Sequence, residues 1–266
     1  MEFLDFFEGR DWLGRDLDSY LYAPEYLIFF AVAVLTAVLL PLALRKKENT
    51  TLKKVLIGLW LFLLIYDVSK FIFNWISTLL HGNAISIATG LPFHACSTPW
   101  YAFPLALLAK KESTRRAWSA YVCSINLFGG IIGMFMGTAM MHCYSFVSYY
   151  GSQMMIYHSV LLILPMFMLI TGYYKPQWKD IKAGYGVFCL IAIPTLIFDT
   201  IFRCDYMYIY DGSTLEPFKA LASAMPHRFL WTLIAFAGYF ILVVVFLGAA
   251  ILIRQMIEKR KEKSLS

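Results

Sequence analysis

A thiol with two imidazoles in play marks the first place where this chain has the means to do chemistry. Cys96 stands in the run Leu91-Pro92-Phe93-His94-Ala95-Cys96-Ser97-Thr98-Pro99-Trp100-Tyr101, which brings a thiol, an imidazole, two hydroxyls and two prolines to one end of an apolar segment. Polar groups left unsatisfied in hydrocarbon cost several kcal/mol each, so such a stretch lines a cavity or is packed inside protein. A thiol attacks as its thiolate, and an imidazole is suited to take the proton. Two histidines compete for that role: His94, two residues away, and His158, on an otherwise apolar segment. On a regular helix His94 points about 200° away from Cys96, which favours the distant partner. Pro99 has no N–H to give to the carbonyl of Ala95, and Thr98-Pro99 also has the form of a helix cap followed by a first-turn proline. Either way polar backbone groups are freed beside Cys96, and a helix N-terminus there favours an anion and offers N–H groups to an oxyanion.

Three further ionisable residues, Asp67, Lys70 and Asp199, lie in apolar runs. Counted from the nearest basic cluster at the helical rise, Cys96 lies roughly 21 Å deep, Asp67 about 20 Å, and His158 and Asp199 about 26 Å. Lys70, Asn74 and His94 fall in the same zone. Four segments thus place ionisable or nucleophilic groups in one half of a hydrocarbon core about 30 Å thick. Intramembrane ionisable groups usually face a bundle interior or a wet cavity and mark function. Asp67 or Asp199 is then available to orient an imidazole. Each residue also has a plainer reading. A membrane cysteine is most often a small apolar filler, and a lone histidine on an apolar face is most often a hydrogen-bonded packing residue. Asp67 and Lys70, one turn apart, suit an internal salt bridge. The shared depth is what favours a pocket.

The elements that must position these residues are membrane helices. The chain of 266 residues is 60% hydrophobic and 15% charged, where a soluble domain is near half apolar and a quarter charged. Its mean hydropathy is +0.64. Seven apolar segments, at Tyr26–Leu44, Val55–Leu80, Leu91–Leu108, Trp118–Gly137, Met154–Tyr173, Ala183–Phe202 and Phe229–Ile253, each approach the roughly 20 residues that cross a bilayer. The expected fold is therefore an all-α membrane protein of seven transmembrane helices. Residues 1–25, with seven carboxylates, form an acidic outer segment with the stripe of a short interfacial helix, and residues 254–266 form a basic tail. Those first residues lack the basic and apolar regions of a signal peptide.

Seventeen of the 23 basic residues fall on one side of these segments, five on the other, and Lys70 within a span. Positive charge marks the cytoplasmic side, so the N-terminus is expected outside and the C-terminus in the cytoplasm. The net charge of +6 is scattered in short clusters, which argues for topology and against a nucleic-acid partner. The five cysteines have no metal-like or redox spacing, and no serine hydrolase, HExxH, GxGxxG or P-loop motif occurs, so no metal or cofactor is expected. Cys143 and Cys204 lie on the same outer side and form a candidate disulfide. Tyr206, Tyr208 and Tyr210 alternate before Asp211-Gly212, which predicts a short extended piece and a turn. Gly129, Gly133 and Gly137 predict close helix packing.

In four places the chain resembles the YwaF-like integral membrane family, which includes the transmembrane protein 164 group. They are Leu91-Pro92-Phe93-His94-Ala95-Cys96, Tyr157-His158-Ser159, Lys175-Pro176-Gln177-Trp178-Lys179-Asp180 and Asp205-Tyr206-Met207-Tyr208. The resemblance covers the region from about the second span to the seventh. It implies a lipid acyltransferase with a cysteine nucleophile and a histidine partner acting on phospholipids, roles that fall on Cys96 and His158.

The leading expectation is thus a multi-pass enzyme, set in the plasma membrane, that moves an acyl chain from a phospholipid to a lyso-lipid through a thioester on Cys96, or to water. His94, Asp67, Lys70 and Asp199 are supporting residues. The alternative is a transporter or lipid-binding protein in which Asp67, Lys70, Asp199 and His158 hold a polar or ionic ligand. A seven-helix receptor fits less well, because the inner loops are short.

Overall fold

Residues 24–80, 91–141, 149–212, 216–225 and 227–265 are described by a computed structural model of the chain. The expected interfacial helix and Cys143 lie outside these residues. The regular elements are helices: α1 (Pro24–Leu44), α2 (Asn49–Leu80), α3 (Pro99–Leu108), α4 (Glu112–Tyr121), a π-helical turn (Val122–Asn126), α5 (Leu127–Met141), α6 (Tyr149–Ile170), α7 (Trp178–Phe202), a 3₁₀ turn (Tyr206–Tyr208), α8 (Glu216–Ser223) and α9 (Arg228–Leu265). No strand occurs among the described residues. Chain-internal hydrogen bonding is what hydrocarbon demands, because no water is present to pair the backbone.

Six stretches are long and apolar enough to cross a membrane: Tyr26–Leu44, Asn49–Phe73, Glu112–Phe135, Gly151–Ile170, Trp178–Phe202 and Arg228–Lys263. The third expected segment is different. Leu91–Thr98 is a series of turns, and regular helix begins only at Pro99 and ends after 10 residues, a length of about 15 Å. Two prolines without N–H groups and a polar run that bonds locally are the cause. The last helix does not stop at the end of its apolar run but continues through the charged tail to Leu265.

Two compact units divide the chain, one of residues 1–83 and 126–173, the other of residues 84–125 and 174–266. In the first, α6 is the hub against which α1, α2 and α5 pack. Small residues make the α5–α6 approach close: a Cβ at Gly130 would meet the backbone of Leu161 and Leu162, and one at Gly133 would fall on the His158 ring. Tyr26 of α1 donates its hydroxyl to the Met134 carbonyl at 2.5 Å. In the second unit α7 packs on α4 and α9, and α3 packs on α4. Asp180 pins its start: buried, it accepts from the Arg116 guanidinium, from Tyr174 at 3.0 Å and from the Gln177 N–H at 2.9 Å.

Several serine and threonine hydroxyls on these helices are satisfied locally. Ser119, Ser124, Ser159 and Thr195 each donate to the carbonyl four residues back. Large apolar side chains such as Ile28, Ile65, Leu190 and Ile241 are instead exposed, as lipid-facing positions are.

Candidate functional site

The residues singled out in the sequence divide between the two units: Asp67, Lys70 and His158 belong to the first, His94, Cys96 and Asp199 to the second.

In the first unit α2 and α6 bring the three ionisable groups together. Asp67, fully buried, pairs with Lys70 Nζ at 2.7 Å. The ammonium also lies 4.7 Å from the ring centre of Phe71 and 5.8 Å from that of Tyr157, so its charge is met by a carboxylate and by aromatic faces. His158 lies within electrostatic reach of both members of the pair. Its Nδ1 is 2.8 Å from the Met154 carbonyl. A carbonyl only accepts, so Nδ1 carries the hydrogen and Nε2 of the neutral ring is left as a proton acceptor. The group that orients this imidazole is thus a backbone carbonyl, and Asp67 acts on it at longer range. The absence of a Cβ at Gly133 makes the room for it.

In the second unit Cys96 sits in the non-helical turns before α3, half-buried, with Ser97 and Thr98 buried beside it. The N–H groups of Ser97 and Thr98 both bond the His94 carbonyl, at 2.8 and 3.2 Å. Pro99 leaves the Ala95 carbonyl without its helical donor, and the Thr98 hydroxyl supplies one at 2.8 Å. The buried Tyr121 hydroxyl donates in turn to Thr98 Oγ1 at 3.0 Å. Thr98 is the cap of α3, yet its side chain bonds backward instead of capping forward. The backbone on either side of Cys96 is therefore fixed by local bonds, just ahead of a helix N-terminus. No regular helix runs through 94–98, so the 200° separation of His94 and Cys96 does not apply.

The His94 ring is 4.7 Å from Tyr206 and 5.9 Å from Tyr208. Phe93 meets Phe198 and Tyr206 edge-on, and the Leu91 N–H donates to the Tyr206 hydroxyl at 3.2 Å. These tyrosines do not form the extended piece expected from their alternation. Asp205 closes the segment into a turn, its carboxylate accepting from the N–H groups of Tyr210, Asp211 and Gly212 at 3.1, 3.0 and 2.8 Å. Burial pushes both the Tyr206 and the Tyr208 phenol up to about 12. Tyr208, Tyr121 and Tyr239 all lie within electrostatic reach of Cys96. The sequence reading passed over Tyr121 and Tyr239, since a buried tyrosine on an apolar helix carries no local signature.

Asp199 is fully buried near the end of α7, and among the described residues neither carboxylate oxygen makes a regular hydrogen bond. Its electrostatic neighbours are Cys204 and Asp205, and the Tyr206 backbone N–H is turned toward it. Cys204 is buried and donates its thiol to the Phe202 carbonyl at 3.6 Å. Among the described residues no group of three or more His, Cys, Asp or Glu side chains is placed to hold a metal ion.

Six apolar helices of membrane length, with buried ionisable groups packed between them, define a multi-pass helical membrane protein. The model of the TMEM164 family matches residues 21–253, and the chain belongs to that family. Compared with curated proteins and with solved structures, the chain gave no match.

Proposed function

We propose that this protein is a membrane-embedded lipid acyltransferase, or an acyl hydrolase where water is the acceptor, that works through a thioester on Cys96. The observation that carries the reading is the turn at 94–98: a half-buried thiol on irregular backbone, directly before the N-terminus of α3. Irregular backbone at membrane depth is tolerated where it borders a cavity or is enclosed by protein, and a helix N-terminus favours the thiolate. Membership in the TMEM164 family supports it, given the acyl transfer that the sequence resemblance implies.

In this reading His158 is the base. Its Nδ1 is committed to Met154, which leaves Nε2 as the nitrogen open to a proton. The pairing of this imidazole with the Cys96 thiol is what the family resemblance implies. Asp67 and Lys70 hold the charge balance around that ring, and His94 and Asp199 support the turn and the tyrosine segment. The substrates are a phospholipid donor and a lyso-lipid acceptor. The short α3 completes a seventh crossing, from an outer N-terminus to a cytoplasmic C-terminus, in the plasma membrane.

Acyl exchange between labelled phospholipid and lyso-lipid, measured in nanodiscs, tests this. Cys96→Ala should abolish exchange, and His158→Ala should lower it roughly 10²- to 10⁴-fold. If His94→Ala removes exchange while His158→Ala leaves it intact, His94 is the base.

A second reading rests on the Asp67–Lys70 pair and the buried Asp199: a carrier or lipid-binding protein that takes a polar ligand. It expects Asp67→Asn or Asp199→Asn to abolish binding and Cys96→Ser to be harmless.

A further inference from the structure

We propose that the phenol of Tyr208 is a catalytic hydrogen-bond donor, aimed at the carbonyl oxygen of the acyl group that Cys96 attacks; this rests on the acyl-transfer reading above. The first reason is the backbone. Met207 and Tyr208 stand consecutively in the left-handed region, at φ 58° and 55°, and neither is glycine. Such residues are strained and persist where the surroundings over-determine them, which happens disproportionately at active sites.

The surroundings here do so. Three consecutive carbonyls accept side-chain bonds from α9: Met207 from the Tyr239 hydroxyl at 2.9 Å, Tyr208 from Trp231 Nε1 at 3.0 Å, and Ile209 from the Thr232 hydroxyl at 2.9 Å. Asp205 fixes the three N–H groups that follow. On a regular helix residues 206 and 208 point about 200° apart. The left-handed turn instead lets both rings meet His94, two residues from the thiol.

The second reason is elimination among the phenols within electrostatic reach of Cys96, with the cap Thr98 beside them. Thr98 gives its hydrogen to Ala95, Tyr121 to Thr98 and Tyr239 to Met207. Among the described residues no hydrogen bond takes up that of Tyr208. With burial holding the phenol up to about 12, it keeps its proton at neutral pH and acts as a donor, not a base. In the step, Cys96 Sγ bonds the ester carbonyl carbon and the C=O π pair moves onto oxygen, where Tyr208 donates. On collapse the carbonyl re-forms and the bond to the lyso-lipid oxygen breaks. That oxygen takes the proton first removed from the thiol, and Tyr208 retains its own.

The full chain in nanodiscs is treated in parallel with a 4-nitrophenyl acyl ester and with iodoacetamide, and modification of Cys96 is followed by intact mass. Alkylation passes through no oxyanion, so it reports the thiol alone. Tyr208→Phe should slow acylation by roughly 10²- to 10³-fold and leave alkylation unchanged. Replacing Tyr208 with 3-fluorotyrosine keeps the donor and the packing and should keep at least the wild-type acylation rate. Unchanged acylation in Tyr208→Phe, equal slowing of both reactions, or loss of acylation with the fluorinated phenol would overturn the assignment. A wild-type chain that alkylates but never acylates sinks the acyl-transfer reading itself, and this assignment with it.

Discussion

Gly133 and His158 show how little slack the candidate chemistry has. The imidazole occupies the place where a Cβ at Gly133 would stand, and it is anchored through one bond to Met154. Gly133→Val should push the ring off that carbonyl, at an overpacking cost of about 1–3 kcal/mol. Acyl exchange should fall roughly 10²-fold, because misplacing a reacting group by an ångström costs about that much. Exchange assays on folded protein check it, and wild-type exchange would remove His158 from the mechanism. His158 was legible in the sequence as an ionisable residue on an apolar span, and Asp67 and Lys70 were legible as its companions on another span. Its orienting partner was not, because a backbone carbonyl four residues back leaves no mark in the residue types.

Between residue and molecule, one of the two irregular segments of the second unit carries the candidate nucleophile and the other the tyrosines that meet His94. Thr98 is the joint of the first: Thr98→Val leaves both the Ala95 carbonyl and the Tyr121 hydroxyl without their bonds. A loss of about 1–3 kcal/mol is expected for a buried group so orphaned, read from denaturant unfolding in detergent. Gly212 is the joint of the second. Its φ is +67°, and a Cβ there would enter the Trp231 ring, so Gly212→Ala should destabilise the segment and loosen the Trp231 bond to Tyr208. A red-shifted tryptophan emission checks that outcome. The sequence misreads the two segments for different reasons. Hydropathy averages over Pro92 and Pro99, so Leu91–Leu108 reads as one long apolar segment. The alternation of Tyr206, Tyr208 and Tyr210 reads as extended because what bends it lies elsewhere. Trp231, Thr232 and Tyr239 come 23, 23 and 32 residues later than the carbonyls they bind.

At the scale of the whole molecule, the membrane helices were the most legible feature, because long apolar runs admit few structures other than helix in hydrocarbon. The charge asymmetry adds an orientation that labelling in cells tests directly. Lys111→Cys and Lys263→Cys variants should react with a membrane-impermeant maleimide only after permeabilisation, and reaction in intact cells would reverse the proposed topology. The central claim is that an acyl chain passes through this thiol. Mass spectrometry of the protein after incubation with native phospholipids tests it most directly. The prediction is a hydroxylamine-sensitive acyl adduct on Cys96, absent from Cys96→Ala and from Cys123 and Cys189. Acyl exchange that persists in Cys96→Ala, with no adduct on the wild-type thiol, would contradict it.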